Sequence, residues 1–455
     1  MNNRNQSVLD DERVGWLLLK LSLPAFLGMF VITLYNVVDT IFIGHYVGPL
    51  GIAGLSIVFP VQMLSLGIGQ MTGIGGASLI SRLIGAGNAP RAERALGNGI
   101  TSTIVLSAIL MIVGLANPDF WLRLMGSSET ILPYARDYMT IILTGIVFQT
   151  LAMALNGLIR AEGNARFPMI GMIIGAVLNT ILCAIFIIPL EMGIRGSALA
   201  AVIAQLISVI YLMSYYFTGK SFLKIRSRNL IPETSILKSI LAIGIAAFAM
   251  TFAGSLSAIF VNRTLEAFSG DLAVSAFGIL NRMVMFVLMP GMTIGQGLQP
   301  ILGFNYGAKR YDRALRAIKL AITVATACSA LAFIVLNFVP QPIIRIFTTD
   351  NELITLTSYA AKRMFFVIYV VGFIMVGSTV FQSIGKAAQS FVCAIARPVL
   401  FLIPLIFILP YYRQLEGVWL AFPLTDILTF LLILSLFIPQ IRDFKKKDML
   451  AKEQL

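Results

Sequence analysis

Residues 63–92, MLSLGIGQMTGIGGASLISRLIGAGNAPRA, and residues 285–314, MFVLMPGMTIGQGLQPILGFNYGAKRYDRA, carry one pattern twice, 222 residues apart. Gly69, Gly73 and Gly75 fall on Gly291, Gly295 and Gly297. Gly85, Ala86, Arg91 and Ala92 fall on Gly307, Ala308, Arg313 and Ala314. Matching leucines would mean little in apolar helices. Matching glycines and loop charges mean more, because a helix keeps glycine where another backbone comes close or the helix bends.

The register extends outward. Ala25, Phe26 and Phe30 fall on Ala247, Phe248 and Phe252, and Gly48 and Leu50 on Gly270 and Leu272. Gly163 and Ala165 fall on Gly385 and Ala387. A shift of 221 then aligns Gly196, Leu199 and Ala200 with Gly417, Leu420 and Ala421. The chain is therefore an internal duplication.

Its solvent is lipid. Of 455 residues, 58% are hydrophobic and 12% charged, about half the charged share of a soluble chain. Apolar runs long enough to cross a bilayer recur throughout. We place twelve spans near 16–43, 51–82, 96–117, 131–159, 168–189, 195–218, 238–264, 272–304, 315–340, 353–383, 391–411 and 417–440. No cleavable signal pattern precedes the first. Six spans per repeat is an even number, so both halves enter from the same side as parallel repeats, with a substrate cleft expected between them. The expected fold is an all-α integral membrane protein of two pseudo-symmetric six-helix lobes. The division is 1–218 for the N-lobe, 219–237 for a basic linker, 238–440 for the C-lobe and 441–455 for a basic tail.

Charge placement sets the orientation. Outer connectors carry Arg123, Arg195, Arg263, Arg345 and Arg413, whereas Arg82, Arg91, Arg94, Lys220, Lys224, Lys309, Arg310, Arg397, Lys445 and most other cations fall on the inner side. The positive-inside rule then puts both termini in the cytoplasm of a cell-membrane protein. The net charge of +13 is read as topology facing anionic lipid, not as nucleic-acid binding. One histidine, His45, and the scattered Cys183, Cys328 and Cys393 build neither a metal cluster nor a disulfide framework. No metal, cofactor or enzymatic centre is expected, and the absence of a GxxxxGK[ST] loop disfavours ATP drive.

Intramembrane acids are functional candidates because their burial is costly. Asp39 lies in LYNVVDTIFIGHYVG (34–48), after Tyr35 and Asn36. It sits about 8 Å from the outer end of its helix, so either coupling chemistry or simple contact with the interface fits. A carboxylate in a partly dry pocket can exchange its charge for a proton. Asp426, in GVWLAFPLTDILTF (417–430), pairs by repeat with Gln205. It is about 14 Å deep, which suits interhelical hydrogen bonding as well as transport. Asn156 and Asn179 are buried amides, and Asn281 and Arg282 a polar pair in helix 8. Met63, Met285, Phe286 and Met289 could form an adaptable surface for varied ligands, or face lipid and core.

The chain resembles the multidrug and toxic compound extrusion family over nearly its whole length. The resemblance is carried by residues 22–48 (SLPAFLGMFVITLYNVVDTIFIGHYVG), 81–95 (SRLIGAGNAPRAERA), 160–169 (RAEGNARFPM), 296–314 (QGLQPILGFNYGAKRYDRA) and 417–426 (GVWLAFPLTD). It implies a V-shaped pair of lobes and export of cationic amphipathic compounds against inward H⁺ or Na⁺. We expect the chain to act as a monomer, with membrane lipid and small-molecule substrates as its partners. Asp39 matches the family's helix 1 carboxylate, and Asn179 its helix 5 amide. Cys183 stands where the family has an Asp, and Ala201 where it has a Thr. The two departures remove oxygen ligands, which favours H⁺ over the harder Na⁺. By depth, Asp39, Cys183 and Ala201 share one N-lobe pocket. The helix 7 acid of some relatives has no counterpart. The rival reading is a lipid-linked precursor flippase of related fold.

Overall fold

The structure, a computed structural model, describes residues 9–10 and 13–453, with the side chains of 36–38, 40–41, 269–271 and 451–452 outside the description. The first six long helices are α1 (Val14–Tyr46), α2 (Pro49–Gly85), α3 (Ala89–Ala116), α4 (Leu132–Ala161), α5 (Arg166–Ile187) and α6 (Gly193–Phe217). Their starts follow local chemistry. Gly48, at φ 89°, turns the chain into a helix opened by Pro49, whose fixed φ suits a first turn. Asn88 caps α3 by accepting from the Arg91 amide at 3.2 Å, which satisfies one of the free donors at a helix start.

Thr234–Gly307 holds two spans, α7 (Thr234–Phe268) and α8 (Leu272–Gly307). A straight helix of that length would run about 110 Å. Val261 and Leu265 nevertheless share an apolar cluster with Leu280 and Met283, so the two arms double back on each other. The connector expected between 264 and 272 is shortened to the few residues between Phe268 and Leu272. α9 follows (Tyr311–Phe338), then α10, which is two helices, Asn351–Met364 and Ile368–Ile384, bent by 54°. The bend differs from the single span expected at 353–383, and no Gly or Pro marks it. The Phe365 carbonyl, released from the helical ladder at the break, accepts from Asn337 Nδ2 of α9 at 3.2 Å. The last helical stretch breaks at Gln414 (φ 48°, ψ −134°), which separates α11 (387–413) from α12 (415–453). With that break counted, the described residues make twelve membrane spans, six in each half.

Packing draws a different line from the connectors. One compact unit comprises Leu23–Phe248, and the other comprises Arg13–Ser22 with the chain from Ala249 onward. The first nine residues of α1 (14–22) and the first fifteen of α7 (234–248) therefore group with a different unit from the rest of their helix. The repeated glycines show why. In the first unit a Cβ on Gly75 would strike the Ile240 carbonyl of α7, and one on Gly244 the Met71 carbonyl of α2. In the second unit a Cβ on Gly297 would meet Ser22 of α1. Ser22 and Gly244 are repeat partners, so the same backbone-to-backbone approach is built twice. Also within the first unit, Gly73 of α2 faces Ala154 of α4, where an added Cβ would lie 2.9 Å from Cα.

The basic linker is shorter than 219–237, because α7 begins at Thr234. It is tied to α3. Asn98 Nδ2 donates to the Asn229 and Ile231 carbonyls at 3.3 and 3.2 Å, and its Oδ1 accepts from the Glu233 amide at 2.7 Å. Thr101 Oγ1 donates to the Leu230 carbonyl at 2.8 Å.

Candidate functional site

The site in the first unit is assembled from α1, α5 and α6. Asn179 and Cys183 lie one turn apart on α5, hence on one face. The start of α6 comes close to the end of α5 because residue 196 is glycine: a Cβ there would sit 3.0 Å from Phe186 Cβ. That approach puts Ser197 beside Cys183. Both reach one oxygen of α1. Cys183 Sγ donates to Asp39 Oδ1 at 3.2 Å, and Ser197 Oγ donates to the same oxygen at 3.1 Å.

Asp39 is half-buried and makes no ion pair among the described residues. Its helix end, Tyr46, is seven residues on, about 10 Å. Cys183 is fully buried, in an apolar cluster with Ile43, Ile187 and Ala200. The carboxylate thus meets two neutral donors against a hydrocarbon wall. Such donors stabilise an ionised carboxylate.

Other expected residues fall around this centre to different degrees. Asn179 is 5% exposed, and its Oδ1 accepts nothing among the described residues. Asn156 is buried, but Nδ2 turns back to its own helix at the Ala152 carbonyl, 2.7 Å away. Tyr35 is half-buried within electrostatic reach of Asp39. The Asn36 side chain lies outside the described residues. Ala201 packs half-buried against the apolar cluster of Val58, Tyr138 and Ile146. The hydroxyl that the resemblance sought at Ala201 comes instead from Ser197, one turn earlier. Sequence reasoning missed Ser197, although a four-residue step back along the same helix face reaches it. It missed Tyr138 as well. Tyr138 is buried within electrostatic reach of Asp39, and its hydroxyl accepts from Gln62 Nε2 at 2.9 Å.

The second unit holds a different arrangement. Asp426, 1% exposed, accepts from Arg397 Nε at 2.6 Å. The sequence pattern puts Arg397 among the inner-connector charges, yet it lies inside α11, in a π-helical stretch, Ala396–Leu402. Asn281 and Arg282 are exposed, as are Met285 and Phe286 one turn on. Met289 is buried, with 5% exposure. Met63 is half-buried in the first unit.

Comparison with known proteins gives consistent matches. The MatE family model matches residues 24–185 and 242–408, once in each half. The chain is 26% identical over 420 residues to "Multidrug export protein MepA" of Staphylococcus haemolyticus, covering 92% of both chains. It is 29% identical over 420 residues to an "FAD transporter" of Shewanella oneidensis, covering 91% of this chain and 92% of that one. Among solved structures, the MATE multidrug transporter DinF-BH is 41% identical, with a TM-score of 0.88 over 94% of this chain and 96% of its own.

Proposed function

The chain belongs to the MatE family, and from that premise we propose that it is a multidrug efflux antiporter exporting cationic amphipathic compounds in exchange for inward H⁺. The observation that carries the coupling is the double donation of Cys183 and Ser197 to one oxygen of Asp39. A metal cation bound to that oxygen would have to displace two hydrogens and accept a soft sulfur as neighbour. A proton needs only a lone pair. The names of two relatives, a multidrug export protein and a multidrug transporter, support the efflux half of the reading.

The cycle follows from charge. Ionised Asp39 holds a cationic drug, with Cys183 and Ser197 steadying the carboxylate. A proton arriving from outside removes the charge and with it the attraction, so the drug leaves outward. The buried Asn179 Oδ1 lies one turn from Cys183 and has no donor among the described residues. It is the acceptor that a protonated carboxyl, or the water bringing the proton, would satisfy. Exchange results when the protein changes sides only with Asp39 neutralised by one or the other. Both termini face the cytoplasm in this reading, consistent with the basic linker and tail.

The same orphan carbonyl favours a second reading. With Asp39 and Ser197, Asn179 Oδ1 could supply oxygens to Na⁺. Reconstituted vesicles loaded with a cationic dye separate the two. We expect efflux with a pH gradient in Na⁺-free buffer, and its loss in Asp39→Asn. Full transport on a Na⁺ gradient alone at clamped pH would overturn proton coupling. Full gradient-driven transport in Asp39→Asn would overturn the role of Asp39.

A further inference from the structure

The Arg397–Asp426 pair sits at mid-depth in the membrane. Arg397 is ten residues from Ala387 at the inner end of α11, about 15 Å. Asp426 is twelve residues from the Gln414 break at the outer end of α12, about 18 Å. The two depths add to roughly a bilayer core, which agrees with two neighbouring antiparallel helices meeting near the midplane.

The pair is engaged on one edge only. Asp426 takes Nε, and Nη1 and Nη2 donate to nothing among the described residues. The arginine side chain keeps 23% of its surface exposed, against 2% for the aspartate. The backbone around it is also unusual. Pro398 has no N–H to give to the turn before it, and α11 widens there into its π-helical stretch, a form that recurs at functional sites. The Pro398 carbonyl is held by Ser257 Oγ of α7 at 2.7 Å. Next to Asp426, the hydroxyls of Thr425 and Thr429 are buried, at 1% and 0% exposure, and have no partner among the described residues.

A pair built only to hold helices together would satisfy the guanidinium more fully, since unmet donors at this depth are costly. Here the carboxylate neutralises and aims the guanidinium while leaving its outer fork open. Two parallel N–H groups at that edge match a carboxylate or phosphate. We propose that Arg397 is the contact for an anionic group, carboxylate or phosphate, on a subset of transported amphipaths. Asp426 is its positioning residue. The site would extend the substrate class from cations to zwitterions and amphipathic anions. It rests on the efflux reading but does not depend on Asp39 being the coupling residue.

Two dyes test it: rhodamine 6G and its free acid rhodamine 19, which differ by an ethyl ester against a carboxylate. Binding to the purified full chain is read by fluorescence polarisation. Arg397→Gln is expected to lower the preference for rhodamine 19 over rhodamine 6G by tenfold or more. Arg397→Lys, a point charge without the fork, should give an intermediate loss. The double variant Arg397→Gln/Asp426→Asn leaves no orphaned charge, and it should show the same loss even where the single variant folds poorly. In lipid nanodiscs, competition by phosphatidylglycerol but not phosphatidylcholine assigns the natural anion to a lipid phosphate, and no competition assigns it to a soluble substrate. Either result keeps Arg397 as the contact. A preference unchanged in Arg397→Gln or in the double variant, or no measurable binding of rhodamine 19 to the wild type, overturns the proposal.

Discussion

The two units place their intramembrane carboxylates in opposite company. Asp39 of the first is met by a thiol and a hydroxyl, both neutral. Asp426 of the second is met by a guanidinium. The repeat sharpens the contrast. The counterparts of Asp39, Cys183 and Ser197 are Val261, Leu405 and Val418, which all join the apolar cluster of the second unit. The counterparts of Asp426 and Arg397 are Gln205 and Gly175. One packing scheme therefore carries a polar centre in different places. A carboxylate among neutral donors is free to trade its charge for a proton or a cation. One locked to arginine is not.

That difference predicts opposite consequences for one substitution. Asp39→Asn removes a charge that no cation balances among the described residues, so the fold should survive with little change in melting temperature while gradient-driven efflux is lost. Asp426→Asn orphans a guanidinium at mid-depth, and should cost about 3–5 kcal/mol of stability. The double change Arg397→Gln/Asp426→Asn should recover most of that loss. Thermal unfolding in detergent compares all three. Equal melting temperatures for the two single variants would erase the contrast.

A second asymmetry lies at the inner ends. Glu162, next after the last residue of α4, is 1% exposed, and Ser221 Oγ donates to its two oxygens at 2.9 and 2.7 Å. Its repeat partner is Ile384, which is also buried. Burial pushes the Glu162 carboxyl up to about 8, with the Ser221 hydroxyl, the Phe222 amide and Tyr215 pulling it partly back. The folded value is raised above the ordinary 4.5, so between the two values the native state binds more protons than the unfolded one. Stability is then fully present at the acid end of that window and falls as pH rises through it. Glu162→Gln should flatten this slope, with wild type losing several degrees of melting temperature relative to the variant as pH rises from slightly acid to alkaline. Parallel profiles would mean that Glu162 is ionised in the fold. Ile384→Val should leave the slope as it is.

The glycine scaffold is repeated but not equally tight. A Cβ on Gly69 would lie 2.9 Å from the Thr150 carbonyl and 2.8 Å from Met153 Cβ, whereas one on Gly291 would lie 3.3 Å from the flexible Met375 side chain. Gly69→Ala should therefore cost about 1–3 kcal/mol, and Gly291→Ala clearly less, read as the difference in melting temperature. A larger loss at Gly291 would reverse the order of the two contacts.

Much of this is legible in sequence, and what is not has a physical cause. Length and hydropathy set the spans, and the glycine register set the duplication, because both are local properties summed over many residues. Depth arithmetic brings Asp39 and Cys183 together. It misses Ser197 because the resemblance points one turn away, to Ala201. Arg397 looks like a connector charge because a cation near a span end is ordinary. Only its carboxylate on another helix identifies it as internal. The break in α10 has no Gly or Pro to announce it, since its freed carbonyl is satisfied by Asn337 from a different helix. The assignment of the starts of α1 and α7 to a different unit from the rest of each helix is likewise a matter of tertiary packing.

The finest test of the comparison concerns the donors on Asp39. A hydrogen bond to a charged group is worth about 1.5–3 kcal/mol, so one lost donor changes proton affinity by about tenfold or more. Cys183→Ala and Ser197→Ala each leave the ionised carboxylate with a single donor among the described residues. Ionised Asp39 is then less favoured, a lower proton concentration suffices to neutralise it, and the profile of dye efflux against external pH should move to a more alkaline midpoint. Cys183→Ser keeps a donor and should stay near wild type. The repeat partners supply the control: Leu405→Ala and Val418→Ala alter the volume of the equivalent packing in the second unit without touching a carboxylate. They should change stability and leave the midpoint where it was. A midpoint that moves equally in both halves would mean that packing, not donation to Asp39, sets the pH response.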